Sequence, residues 1–245
     1  MKKYINSGCL ITIIGIWFAF TTGFVMVIML ASGQPNSRAV ILMASGLILF
    51  WMIIGGTLMR LFRDPIRTFV QSIRIDWQIK FVLFATILAL IEELITTTMT
   101  NLAPLFGVPI GAAYITASNN YFDVVCLHSV GVFIPMFVGL AILLKYYDFS
   151  PNAIFLLFGF TGVAAEASFS GWQAIVEFGL WVFVYGLMVY LPTYCIPKDR
   201  GAKKPKWWQY VLVVFLPIIF AIPVAVIVGA IHPIRIHFPI IPPNS

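Results

Sequence analysis

The chain has 245 residues, of which 61% are hydrophobic and only 10% are charged, whereas a soluble domain carries roughly a quarter of its residues as charges. That composition excludes a soluble globular fold. At about 20 apolar residues per crossing it leaves room for seven spans with short connections. The formal charge of +6, from 15 basic and 9 acidic residues, clusters beside apolar runs, so it reads as a topology signal and not as an affinity for nucleic acid.

The expectation is one all-α domain over residues 1–245, a polytopic transmembrane bundle in contact with the lipid bilayer. Met1-Lys2-Lys3 precedes an apolar run near 8–32. That run is longer than the roughly 7 to 15 residues of a secretory h-region, so it reads as a first span. Further spans fall near 39–60, 81–100, 124–144, 152–168, 173–193 and 208–231.

The connection over 60–80 sets Ile66, Phe69, Val70, Ile73 and Ile75 among Arg63, Arg67, Arg74 and Lys80. This suits a helix lying on the membrane surface, and equally a solvated connector. Residues 102–117 are apolar but interrupted by Pro104, Gly107, Pro109 and Gly111. They read as a re-entrant or interfacial element, which is tolerated only where protein or water satisfies the backbone. The fifth and sixth spans meet at Ser170-Gly171 and should form a hairpin. Tyr146, Tyr147, Trp207 and Trp208 suit headgroup-level anchors.

With the N-terminus inside, Lys2, Lys3, Arg60, Arg63, Arg67, Arg74, Lys80, Lys145, Lys198, Arg200, Lys203, Lys204 and Lys206 fall on the inner side. Only Arg38 and Arg235 remain outside. This asymmetry points to an inward N-terminus and an outward C-terminus, and a crossing at 102–117 would break it. A simple plasma (inner) membrane location follows from the lack of sorting signals. Cys9, Cys126 and Cys195 are too widely spaced for a metal motif or disulfide framework and read as packed thiols.

All five aspartates lie in loops, whereas Glu92, Glu93, Glu166 and Glu177 all lie in apolar runs. A charge at membrane depth costs at least a few kcal/mol and marks a pathway, a pair or a site. At 1.5 Å per residue, Glu92 and Glu93 sit about 17 Å along the third span, near or just beyond the midplane. On the same reckoning His128, taken as the only histidine within a span, and Glu166 and Glu177 fall in the outer half.

Glu93, Thr96, Thr97 and Thr100 share a helix face that continues to Asn101. Ser118, Asn119, Asn120 and Asp123 crowd the connection before His128. Gly159 and Gly162 lie below Glu166, where a neighbouring helix can come close. The candidate catalytic residues are therefore Glu92, Glu93 and His128. Glu93, His128 and Glu166 form a candidate divalent-metal set, with Thr97, Asn101, Asn119, Asn120 and Glu177 as further polar groups.

The Glu92-Glu93 pair on one helix followed by His128 on the next resembles the CAAX-processing (CPBP) and PrsW-type intramembrane proteases. That resemblance covers two short motifs. It implies a peptidase acting on a membrane-embedded peptide by glutamate-activated water, with or without a metal. The chain departs from the family in having Thr96 and Thr97 where a basic residue follows the pair, Val124 where Phe often stands four residues before His128, and no second membrane histidine after it, a role left to Glu166 by conjecture. The residues alone leave two other readings open: a proton- or cation-coupled transporter of a small molecule or ion, with the glutamates as carriers, and a structural or assembly subunit in which the polar groups lock helix packing.

Overall fold

The computed structural model describes residues 7–234 and 236–241; Lys2, Lys3 and Arg235 of the charge count lie outside the described residues. Apolar runs opened by a proline or a capping side chain become helices: α1 (Ser7–Ala31), α2 (Pro35–Leu61), α3 (Arg63–Ser72), α4 (Trp77–Asn101), α5 (Tyr121–His128), α6 (Val130–Tyr146), α7 (Pro151–Ser170), α8 (Trp172–Val176), α9 (Phe178–Tyr194) and α10 (Trp207–Ile231). Asp76 caps α4 by accepting from the Gln78 amide, and Ser150 caps α7 by accepting from the Ala153 amide. Both satisfy donors that a helix start would otherwise orphan. Among the described residues there is no β-strand, only three isolated bridges.

Three helices, α1, α2 and α10, are long and apolar enough to cross a membrane, and the bent pair α5–α6 makes a fourth if it is one span. At 25 residues each, α1 and α10 reach about 37 Å, more than the hydrocarbon thickness. Their surfaces are apolar and uncovered. Along α1 only Ile14 is buried while Ile16, Phe20, Phe24 and Val27 stand exposed, the arrangement expected of a helix solvated by lipid.

The sequence boundaries shift in four places. The second helix starts at Pro35 and not near 39, because proline pre-sets the helical φ and lacks an amide that the first turn would leave unpaired. The run over 124–144 is broken, with α5 and α6 meeting at 44° on either side of Ser129, whose φ of −133° and ψ of −78° leave the helical region. The run over 173–193 is likewise divided, and Glu177 stands at the N-cap of α9. Residues 102–117 hold a short 3-10 turn, Ala103–Phe106, then bends at Gly107 and Gly111, both at positive φ. This segment buries Val108 and Ala113 against Ala39, Met43 and Met99, so it caps the end of the bundle where α4 stops.

The centre is the α7–α9 pair, flanked by α4, α6 and α10. Gly159 and Gly186 permit the close approach: a Cβ on Gly159 would lie 2.6 Å from the Val182 carbonyl oxygen, and one on Gly186 would lie 2.7 Å from that of Phe155. Phe137, Leu140, Leu144, Ile154, Phe158, Val182 and Met188 fill the core around this contact. Trp51 of α2 is buried and donates its Nε1–H to the Val184 carbonyl at 3.1 Å.

At the opposite end the connections are tied by polar contacts. Arg200 donates to the carbonyls of Leu144 and Pro197 and to Asp148 at 2.7 Å. Tyr194 donates to Asp64 at 2.6 Å while Arg63 and Arg67 lie over its ring. Helix α3 buries none of its residues and leaves Phe69 exposed. Of the three cysteines only Cys195 is a packed thiol; Cys9 and Cys126 are exposed.

Candidate functional site

The site grows from the start of α5. Asn120 accepts from the amides of Phe122 and Asp123, which fixes the first turn and with it the Asp123 carboxylate. The chain then winds as a wide π-turn over Val124–His128. Ser129 closes this turn by donating both its amide and its hydroxyl to the Val124 carbonyl, at 3.0 and 3.1 Å. Gly131 is required beside it, since a Cβ there would meet the Cys126 carbonyl oxygen at 2.7 Å. Single-turn π distortions of this kind are frequent at functional sites.

Asp123 collects all three histidines of the chain. Its Oδ2 lies 3.7 Å from His128 Nε2 and 3.7 Å from His237 Nδ1, and its Oδ1 lies 3.6 Å from His232 Nε2. The rings are packed against one another, with centroids 4.1 Å apart for His232 and His237 and 5.1 Å for His128 and His232. Nε2 of each histidine is buried without a hydrogen-bond partner, an arrangement that needs an explanation in a folded protein. One ligand atom each from Asp123, His128 and His232 falls within a 4.8 Å group.

This donor set fits a metal. Bonds of about 2.0 to 2.2 Å from a tetrahedral zinc place neighbouring donors roughly 3.3 to 3.6 Å apart, close to the spacings around Asp123. Imidazole with one carboxylate suits zinc and other first-row divalent ions. His237 arrives from the segment after α10: its amide donates to the Ala117 carbonyl at 2.7 Å, and Phe238 stacks on Tyr114 with ring centroids 4.8 Å apart.

A second polar cluster lies among α4, α6, α7 and α9. Glu92 and Glu93 are buried together with Thr96, Thr97 and Thr100. Thr96 donates to Glu93 Oε2 at 3.2 Å. Ser129 sits alongside the Glu93 carboxyl. Glu166 accepts from the Tyr185 hydroxyl, and Gly162 leaves the space in which that ring lies against α7. Glu92, Glu93, Glu166 and Tyr185 are near enough for each carboxyl to feel the others electrostatically.

The residues read together as a metal set therefore belong to two clusters: His128 to the aspartate–histidine group, Glu93 and Glu166 to the carboxylate–tyrosine group. The other polar candidates disperse. Thr97 Oγ1 is buried with no partner. Asn101 donates to the Asn119 carbonyl at 2.9 Å, Asn120 serves as the α5 cap, and Glu177 stands half-buried at the α8–α9 break.

His128 is not alone, as its position within a span had suggested: His232 and His237 join it from beyond the last span. The signal available was that every histidine, together with Asp123, lies at the same end of the expected topology. Comparison with protein-family models, with curated proteins and with solved structures finds no match.

Proposed function

We propose that the protein is a metal-dependent intramembrane hydrolase, built on seven spans with the N-terminus inside and the C-terminus outside and resident in the plasma (inner) membrane. The observation that carries this reading is the convergence on Asp123 of three imidazoles whose Nε2 atoms are buried without partners. Asp123, His128 and His232 would hold a divalent cation, with His237 beside them. Such a cation, bound by three protein ligands, supplies a water acidic enough to act as hydroxide near neutral pH.

The carboxylate cluster completes the chemistry. Glu93 handles protons, oriented by Thr96, and the CAAX/PrsW-type resemblance at Glu92-Glu93 agrees with an amide bond in a membrane-embedded peptide as substrate. Seven spans follow if the shorter or charged helices α4, α7 and α9 also cross, and the charge asymmetry then sets their direction.

A specific observation favours one other reading, a cation- or proton-coupled transporter: three carboxyls, Glu92, Glu93 and Glu166, lie within electrostatic reach of one another among the apolar helices. The two readings part in one experiment. Purified protein is stripped with a chelator and reloaded with zinc. The hydrolase reading expects one metal per chain by elemental analysis, lost in Asp123→Asn and His232→Ala, and metal-dependent cleavage of membrane peptides that Glu93→Gln abolishes. Metal flux into proteoliposomes without cleavage supports the transporter, and absence of stoichiometric metal in the wild-type protein sinks both metal-based readings.

A further inference from the structure

A cavity lies far from the histidines, at the end of the molecule where α3, the start of α4 and the loop after α9 meet. It has a volume of about 330 Å³ and is lined by Arg67, Gln71, Lys80, Pro197, Lys198 and Asp199. Three cations from three separate elements face one carboxylate there, a net of +2 (3 − 1). The volume falls in the range of small-ligand sites, about 300 to 1,000 Å³.

The walls are fixed by contacts that leave the cations available. Gln71 is held by the Cys195 carbonyl at 3.0 Å, and the Arg67 guanidinium stands over the Tyr194 ring at 5.8 Å from its centroid. Lys80 donates one N–H to the Ile73 carbonyl at 3.1 Å, and an ammonium has two more to give. Lys80 also borders an apolar hollow lined by Val70, Trp77, Phe81, Phe84 and Ile196. An apolar edge next to a cationic hollow matches a molecule with acyl chains and an anionic head.

We infer that this cavity is a binding site for the headgroup of one anionic phospholipid, held by Arg67, Lys80 and Lys198 while its acyl chains leave past the apolar residues Val70, Trp77 and Phe84 on the other side of Lys80. On the orientation proposed above the cavity faces the inner leaflet, where anionic lipid is drawn to basic pockets between helices. Recognition is independent of the metal site.

The test uses delipidated full-length protein in detergent, titrated with short-chain phosphatidylglycerol, short-chain phosphatidylcholine and inorganic phosphate and followed by native mass spectrometry. One saturable phosphatidylglycerol per chain is expected, bound at least tenfold more tightly than phosphatidylcholine. Arg67→Gln/Lys80→Gln/Lys198→Gln should lose that preference, and the single change Lys198→Gln in the exposed loop should weaken it about threefold should the triple variant fold poorly. A control that removes three exposed charges elsewhere, Arg60→Gln/Lys145→Gln/Lys204→Gln, should bind as wild type. Equal binding of the two lipids, an equal loss in the control, or displacement of the lipid by equimolar phosphate would each overturn the assignment.

Discussion

His128 and Ser129 are adjacent in the chain and face different polar clusters: His128 Nε2 stands 3.7 Å from Asp123, while Ser129 lies alongside Glu93. The break after the π-turn widens the divergence that neighbours on a helix already have, about 100°, because Ser129 leaves the helical region and α6 departs from α5 at 44°. The α5–α6 junction thereby joins a metal-type donor set to a carboxylate set through one peptide bond.

This junction predicts separable effects. His128→Ala should abolish stoichiometric zinc binding. Ser129→Ala removes the hydroxyl bond to the Val124 carbonyl but keeps the amide bond to the same oxygen, so it should retain the metal and lower turnover by up to about tenfold, the worth of one hydrogen bond. Zinc content by elemental analysis, measured beside cleavage of a membrane peptide, checks both; loss of metal in Ser129→Ala would show that the two clusters are not separable.

The Glu166–Tyr185 bond links α7 to α9 beyond the close approach at Gly159. Tyr185→Phe leaves a mostly buried carboxyl without its donor, a change worth about 1 to 3 kcal/mol. Gly159→Ala drives a methyl into the Val182 carbonyl and should cost a similar amount, about 1 to 3 kcal/mol, by overpacking. Thermal unfolding in detergent measures each. The first substitution should also alter the pH profile of turnover, which a purely packing role would leave in place.

Helix existence was legible in the sequence because apolar length alone specifies it: the expected runs 8–32, 152–168 and 208–231 differ from α1, α7 and α10 by no more than two residues at either end. Breaks were not legible. Ser129 interrupts a run that stays apolar on both sides, and serine carries no signature comparable to proline. The site was half legible. Membrane depth singled out the glutamates, since a buried charge is costly wherever it falls in the chain. The aspartate–histidine group escaped because its members are separated by up to 114 positions (Asp123 to His237), and the last two lie past the final span, where depth gives no warning.

Cys195 offers a check on packing where α9 ends. Burial pushes its thiol up from an ordinary value near 9 to about 12. Below about pH 9 both the folded and unfolded chains keep this proton. Between 9 and 12 the unfolded chain releases it while the folded chain does not, so the contribution is present at lower pH and is lost across that window. At pH 8, N-ethylmaleimide should label the exposed Cys9 and Cys126 and spare Cys195 until the protein is denatured. Cys195→Ala should remove part of the fall in stability above pH 9. Mass mapping of the labelled peptides gives the first result and alkaline melting curves the second.

The segment after α10 should be secured by the metal. Without it, this stretch is held by the His237 amide on the Ala117 carbonyl, by Phe238 stacked on Tyr114, and by the fit of Phe238 against Gly111, which has no side chain to obstruct it. A metal on Asp123, His128 and His232, with His237 Nδ1 beside the Asp123 carboxylate at 3.7 Å as an outer partner, ties α5 and the end of α10 to that segment. Metal binding to the folded segment stabilises it by mass action, by about 2.7 kcal/mol at a hundredfold excess over Kd. Limited proteolysis of the C-terminal segment should therefore slow about a hundredfold on adding zinc at that excess. His237→Ala should retain zinc, bound about 10 to 100 times more weakly as for loss of an outer partner, and should lose most of the protection. Equal cleavage of zinc-loaded and stripped protein, with zinc bound in the first, would mean that the metal does not secure this segment through His237.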